Sequence, residues 1–317
     1  MRIVFLDENT VVLKGDIDLG VLRKLGEYEA FSILPHDDPV PLSREAEVMI
    51  VNKVKVSAGA MKQLPSLRLI CLAATGYDNI DIAAAKDIGI RVANVAGYAK
   101  YSVAQQVFAM ILSIATRIHD YYGDVKGGEW QRSKTFILLK YHTFELAGKK
   151  IGIVGFGAIG HEIAKIAEAF GIQVLAHDIV DISRTGYENH SLDELLRSAD
   201  ILSINCPLTE RTRNMIDSDS FTKMKKNAIL INTARGGIVN EEALARALNS
   251  NLIAGAAVDT LSTEPPVEGN PLLGGVKNLI ITPHTAWATR DSRQRLVNAI
   301  AENIKKYIRE EFEGFVV

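Results

Sequence analysis

Cysteine is scarce. The chain has only Cys71 and Cys206, each inside an apolar run, which excludes a disulfide framework and reads as a pair of buried free thiols. Neither is flanked by the residue types of a zinc site, so no metal is expected. Charge of one sign is also lacking: 36 Lys and Arg stand against 38 Asp and Glu, a net of -2, with the two signs interspersed. That balance offers no broad electropositive face, so nucleic acid and anionic membrane surfaces are not expected partners. No apolar run reaches the roughly 18 to 20 residues needed to span a bilayer. Residues 1–7 read as a strand rather than a signal peptide, and a cytoplasmic location is the expectation.

What is present is alternation. At 317 residues the chain is long for one compact core and suits two domains. Short β-rich runs at 3–6, 30–34, 48–51, 67–73 and 91–94 are separated by stretches of helical composition, the pattern of a parallel sheet. A helix is predicted from Tyr101, with Val103, Val107, Ile111, Ile114 and Ile118 on one face. From 116 to 147 the periodicity fades among Gly123, Gly127, Gly128 and several aromatics, and a long irregular connection is expected.

A second α/β unit opens with a strand at 150–154 that runs into Gly155-Phe-Gly-Ala-Ile-Gly160. An amphipathic helix follows, marked by Ile159, Ile163, Ile166, Ala167 and Phe170. Another strand, 173–177, ends at Asp178. Strand, glycine turn, helix and acidic strand end in this order form a dinucleotide fingerprint. Gly155 permits the tight turn, Gly157 the approach of a pyrophosphate and Gly160 close helix packing. The amides of Phe156, Ala158 and Ile159 then face the phosphates with the positive end of the helix dipole. Asp178 suits two ribose hydroxyls and would repel a 2′-phosphate, so NAD is favoured over NADP. The competing reading is a glycine-rich turn that packs a helix without a ligand.

Three further apolar runs each end on a residue useful to acid–base chemistry: 228–233 before Arg235, 253–258 before Asp259 with Glu264 beyond, and 279–283 before His284. Ligands of open α/β sheets bind at the carboxyl ends of the strands. A cation, a carboxylate and an imidazole would meet there. In isolation each has a plainer reading: His284 as a core or surface histidine, Arg235 as a surface charge before a glycine turn, Glu264-Pro-Pro as loop punctuation. A closing helix is predicted from 289 to about 311, either capping the second unit or crossing back to the first.

The motifs Ala74-Thr-Gly-Tyr-Asp-Asn-Ile-Asp81, Gly155-Phe-Gly-Ala-Ile-Gly160, Asn232-Thr-Ala-Arg-Gly-Gly237, Asp259 with Glu264-Pro-Pro266, and Thr282-Pro-His-Thr-Ala-Trp-Ala288 resemble the NAD-dependent D-2-hydroxyacid dehydrogenases over nearly the whole chain. Ser102-Val-Ala-Gln105 and Pro283-His-Thr-Ala-Trp-Ala-Thr289 resemble the glycerate dehydrogenase, or hydroxypyruvate reductase, branch. The resemblance implies two Rossmann-like, doubly wound parallel-sheet domains, with the NAD domain (99–287) inserted into a flavodoxin-like substrate domain (1–98 and 288–317). It sends the last helix back to the first unit and implies a homodimer built on the cofactor domains.

The same resemblance implies hydride transfer between the nicotinamide and C2 of a small 2-oxoacid or 2-hydroxyacid. His284 would be the acid–base, a role suited to histidine's ordinary pKa of about 6.5. Glu264 would orient its ring, and Arg235 would clamp the substrate carboxylate. Thr75 and Gly76 would offer backbone donors to the substrate. Cys206, Pro207, Thr212, Thr233, Ala234 and Asp259 would line the nicotinamide or its ribose. Trp287 would wall the substrate pocket, with plain hinge packing as the competing role. Lys53 would be a second cation, its alternative being an ordinary solvated lysine. Three related functions stay open: a 3-phosphoglycerate dehydrogenase, with Lys53 and Lys100 for the phosphate, a formate dehydrogenase, whose oxidation would not require the Glu264 and His284 pair, and an NAD-sensing interaction protein like the family's corepressors.

Overall fold

The computed structural model describes all 317 residues, and the chain divides into two compact units, 1–99 with 287–317, and 100–286. Each is a doubly wound parallel sheet, the class that the alternation predicted. No helix is long and apolar enough to cross a membrane.

The first unit has five strands, β1 (Arg2–Phe5), β2 (Glu27–Ala30), β3 (Val48–Val51), β4 (Leu69–Leu72) and β5 (Arg91–Ala93). They lie in the order β2-β1-β3-β4-β5, the flavodoxin-like order. Alternating side chains are buried on both faces, as all-parallel sheets require. Ile3, Phe5, Val48, Ile50 and Leu69 share one core with Leu296, Val297, Ile300 and Ile304 of the final helix, Arg290–Ile308. Val4, Met49, Val51, Ile70 and Leu72 share the other with Met61 and Ala85. The predicted strand at 30–34 is displaced: β2 pairs Glu27 with Arg2 and Ala30 with Phe5. An edge strand needs less apolar surface, so the hydrophobic run just after it was misleading, and Leu34 is exposed.

The second unit has six strands, β6 (Lys150–Val154), β7 (Gln173–His177), β8 (Ile201–Ile204), β9 (Ile229–Asn232), β10 (Gly255–Val258) and β11 (Leu279–Ile281). Their order is β11-β10-β9-β8-β6-β7, with all registered pairs parallel. The order reverses at β6, so a crevice opens beyond the carboxyl ends of β6 and β8, the place where such sheets bind ligands. The helix Lys100–Thr116 buries Val107, Ile111 and Ile114 against Ile151, Ile153 and the helix Ala158–Ala169.

The expected irregular stretch is partly helical. A helix spans Ile118–Lys126 after Arg117 adopts a left-handed conformation (φ 56°). That single residue breaks the phase of the preceding helix, so Ile118 does not extend its buried face and is itself exposed. Gly123 lies within the helix rather than ending it.

Candidate active site

Beyond β6 the chain turns at Gly155 (φ 88°), where an added Cβ would lie 2.5 Å from the Cys206 amide nitrogen at the end of β8. Gly160 is equally tight, its Cβ position 2.5 Å from the Gly155 carbonyl oxygen. Gly157 differs: nothing lies within 4 Å of its Cβ position. Two glycines thus press the turn and helix onto the sheet, and the third leaves open space beside the helix start. No side chain caps that helix, so its first amides and dipole suit an anionic group.

Asp178, just past β7, accepts a hydrogen bond from the Phe156 amide at 2.7 Å and from the Val180 amide at 3.2 Å. Asn189 holds it in place, accepting from the Asp178 amide and donating to its carbonyl, both at 3.0 Å. A carboxylate is therefore fixed at the edge of the glycine turn. Asn189 carried no motif signal, since its partner lies 11 residues away.

The strand ends supply further polar groups. Asn205 Oδ1 and Thr233 Oγ1 are buried without a protein partner, acceptor and donor capacity that suits a polar ligand. Cys206 is half-buried rather than fully buried. Burial pushes its thiol up to about 11, with a smaller contribution from Asp178. It is consequently a neutral thiol rather than a thiolate nucleophile. Thr212 donates to the Pro207 carbonyl at 2.7 Å and accepts from the Thr209 amide at 2.7 Å, which closes the loop carrying Pro207.

At the end of β9, buried Asn232 folds the next turn around itself. Its side chain accepts from the Ala234 amide at 3.1 Å and donates to the Arg235 carbonyl at 3.0 Å. The Arg235 guanidinium is only partly engaged, through Nη1 to the Ala234 carbonyl at 2.8 Å. At the end of β10, Asp259 was expected beside the nicotinamide. Its carboxylate, 1% exposed, is enclosed by the end of β11 and the loop that follows it. It accepts from the Thr282 hydroxyl, the Thr285 amide at 3.0 Å and the Ala286 amide at 2.8 Å. Its carbonyl also accepts from the His284 amide at 2.7 Å.

That enclosure fixes His284 in a left-handed conformation (φ 54°), an uncommon state for a residue with a Cβ. The imidazole Nδ1 lies 2.7 Å from Glu264 Oε2, while Glu264 Oε1 accepts from the Leu261 amide at 2.9 Å. Both side chains keep partial exposure, 24% and 35%. An Nδ1–H given to a carboxylate fixes the tautomer of the neutral ring.

Lys53, Thr75, Gly76 and Trp287 belong to the first unit. Asp7, at the end of β1, gathers the Asn52, Lys53 and Val54 amides at 2.8, 2.6 and 3.2 Å. Burial raises its carboxyl above the usual range, and those amides oppose the shift. The Thr75 hydroxyl donates to the Val95 carbonyl at 2.9 Å, and Asn94 donates to the Thr75 carbonyl at 2.6 Å. Trp287 meets Tyr98 edge to face, 6.2 Å between centroids, against the first unit's core. Lys100 is paired with Glu162 at 3.1 Å in the second unit, which argues against its use for a phosphate.

Residues 108–286 match the family described as D-isomer specific 2-hydroxyacid dehydrogenase, NAD binding domain. A glycerate dehydrogenase of Methylorubrum extorquens is 39% identical over 97% of this chain and 96% of its own. A hydroxypyruvate reductase of Blautia hydrogenotrophica is 36% identical over 98% and 97%. Among solved structures, a D-lactate dehydrogenase from Aquifex aeolicus, complexed with NAD and lactic acid, superposes with a TM-score of 0.83. That enzyme is 29% identical, over 100% of this chain and 99% of the other.

Proposed function

The chain belongs to the D-isomer-specific 2-hydroxyacid dehydrogenases, and from that premise we propose that it interconverts D-glycerate and hydroxypyruvate. The observation that carries the chemistry is the 2.7 Å contact between His284 Nδ1 and Glu264. NAD, when bound, accepts or supplies the hydride at C2 of the acid. The protein's part is to hold the acid and move one proton. During reduction, His284 Nε2–H protonates the C2 oxygen, and in oxidation Nε2 removes that proton. Glu264 keeps the ring in the required tautomer and stabilises its protonated form.

Arg235 grips the substrate carboxylate with its planar fork, a geometry that one ammonium cannot reproduce. Thr75 and Gly76 amides add donors to that carboxylate, Lys53 contributes a second positive charge, and Trp287 limits the size of the acid. For the cofactor, the Gly155–Gly160 turn receives the pyrophosphate beside open Gly157, and Asp178 takes the ribose hydroxyls. Cys206, Pro207, Thr212, Thr233 and Ala234 line the nicotinamide half, and buried Thr233 Oγ1 and Asn205 Oδ1 are the groups with capacity to bond it. Asp259 supports this half indirectly by fixing the His284 loop. The substrate pair follows the glycerate and hydroxypyruvate relatives, whose matches run nearly end to end.

A homodimer is part of the same reading. The helix Ile118–Lys126 and the segment after it expose Ile118, Tyr122, Trp130, Phe136 and Leu139. Exposed apolar side chains gathered on one segment suit burial against a second copy of the same segment.

The deciding experiment is loss of nicotinamide absorbance when purified protein and NADH meet hydroxypyruvate, glyoxylate, pyruvate or 3-phosphohydroxypyruvate. The highest kcat/KM is expected with hydroxypyruvate. Turnover of none of the four would sink the assignment.

A further inference from the structure

Glu264 can serve His284 only if its own loop stays put, and residues 260–270 contain no helix or strand. The loop holds itself in part, through the Leu261 amide on Glu264 and turns at Pro265 and Pro266. From outside, one side chain grips it at two places. Glu241 accepts from the Ser262 amide at 2.7 Å, from the Ser262 hydroxyl, and from Asn270 Nδ2 at 2.8 Å. Ser262 stands two residues before Glu264, and Asn270 closes the loop at its far end.

Glu241 is the first residue of the helix Glu241–Asn249, where a carboxylate ordinarily favours the positive end of the dipole. Here Asn240 supplies the cap, accepting from the Ala243 amide at 2.9 Å. The Glu241 carboxylate is directed at the loop instead. A second surface presses from the Arg235 turn: a Cβ on Gly236 would lie 2.0 Å from the Leu261 carbonyl carbon. Leu261 and Ser262 are therefore pinned between the Arg235 turn and Glu241.

We propose that Glu241 is a positioning residue for the acid–base pair, holding Ser262 and Asn270 so that Glu264 meets His284 Nδ1. The inference rests on the dehydrogenase reading of that pair. Hydrogen bonds to a charged acceptor are stronger than neutral ones and fix geometry as well as energy. Without Glu241, the Glu264 carboxylate samples positions away from the ring, and the protonated imidazole loses its partner for part of the time. Charged groups on the surrounding elements are Arg235 on the β9 turn, Arg213 beside Gly237, Asp259 after β10 and Glu268 on the loop. Of these, Asp259 is committed to the Thr282, Thr285 and Ala286 donors.

The test compares Glu241→Ala, Glu241→Gln, Glu264→Gln and the Glu241→Ala/Glu264→Gln double variant with the wild type, in NADH-dependent reduction of hydroxypyruvate across pH. Glu241→Ala should lower kcat by about tenfold at high pH and much less at low pH, with KM nearly unchanged, following the profile of Glu264→Gln. Gln keeps an acceptor for the Ser262 amide, so Glu241→Gln should stay within about threefold of wild type. The double variant should be no worse than Glu264→Gln alone, since both changes break one contact.

Equal loss at every pH, a Gln variant as poor as Ala, or additive losses in the double variant would each overturn the proposal. Should Glu241→Ala not fold, Ser262→Ala removes one of the three bonds and should show the same pH-dependent loss at smaller size; a pH-independent loss would overturn it. A direct readout separates this inference from the substrate assignment. If the wild type reduces no 2-oxoacid, the assignment fails, yet the ring ¹⁵N resonance of His284 Nδ1 still reports its hydrogen bond. That resonance should move in Glu241→Ala towards its position in Glu264→Gln. An unmoved resonance would overturn the positioning role.

Discussion

His284 Nδ1 and Glu264 Oε2 lie 2.7 Å apart although 20 residues separate them in the chain. The imidazole comes from the loop after β11, the carboxylate from the loop after β10, and parallel pairing of these strands brings the loops side by side. An imidazolium beside a carboxylate keeps its proton to higher pH than one beside a neutral amide. Glu264→Gln should therefore slow hydroxypyruvate reduction more at high pH than at low pH. Loss of one charge-assisted bond, about 1.5–3 kcal/mol, corresponds to about ten- to a hundredfold in rate. An unchanged pH–rate profile would refute the role.

Arg235→Lys preserves charge and loses the fork. The Arg235 turn is held by two Asn232 side-chain bonds, to which the guanidinium adds one on the Ala234 carbonyl, so the fold should survive. We expect kcat/KM for the oxoacid to fall by about a hundredfold, with KM raised, because paired hydrogen bonds to the carboxylate are replaced by a point charge. NADH affinity measured by fluorescence titration should be unaffected. A lysine variant within threefold of wild type, on the scale of about 0.6 kcal/mol, would assign the carboxylate to other groups.

Asp178 sets a preference between cofactors. Like charges placed together cost several kcal/mol, so Asp178→Ala should improve kcat/KM with NADPH relative to NADH by about tenfold or more. Absolute NADH affinity should also drop, since the Phe156 amide loses its acceptor. Steady-state kinetics with both cofactors decides it. An unaltered ratio would show that Asp178 serves only to hold the turn.

The parts of this site that were legible in the sequence are those whose cause is local. Gly155, Gly157 and Gly160 act through a backbone path fixed within six residues, and Arg235, Glu264 and His284 follow apolar runs that read as strands. The groups that hold Asp178, the Glu264 loop and the Lys53 backbone were not legible. Asn189, Glu241 and Asp7 act on partners 11, 21 and 46 residues away, through contacts that exist only once strands are in order. Asp259 is a mixed case: its strand-end position was read from sequence, but not that a hydroxyl and two amides from β11 and the loop after it would surround its carboxylate. Ile118–Lys126 was missed because one left-handed residue, Arg117, shifts the helical phase, and because the helix keeps its apolar residues outside.

Those outward residues make a prediction of their own. If a second copy covers them, an aspartate at Phe136, which is 90% exposed, places a charge in an apolar contact and should weaken self-association by roughly thirtyfold or more, the scale of a 2 kcal/mol anchor residue. Light scattering after gel filtration should show a dimer for the wild type and a growing monomer fraction for Phe136→Asp. A wild-type monomer at all concentrations would remove the homodimer from the reading.

Stability of the first unit should carry its own pH signature. Arg293, 8% exposed in its side chain, holds both oxygens of Asp16 at 2.8 and 2.6 Å and the carbonyls of Val11 and Ala288 at 2.8 and 2.9 Å. The Arg293 hydrogen bond, more than any other cause, lowers the Asp16 carboxyl to about 2, against about 3.9 for an unfolded aspartate. A carboxyl depressed on folding stabilises fully above its unfolded value, and that contribution disappears as pH falls from about 4 through about 2. Asp16→Asn removes the charge and leaves a buried guanidinium without its anion, so its urea midpoint at neutral pH should lie below that of the wild type. The gap should narrow below about pH 4 and close below about pH 2, where the wild-type carboxyl is itself mostly protonated. A gap that stays constant over that interval would mean that the pair contributes packing alone, and that its charge does not stabilise the fold.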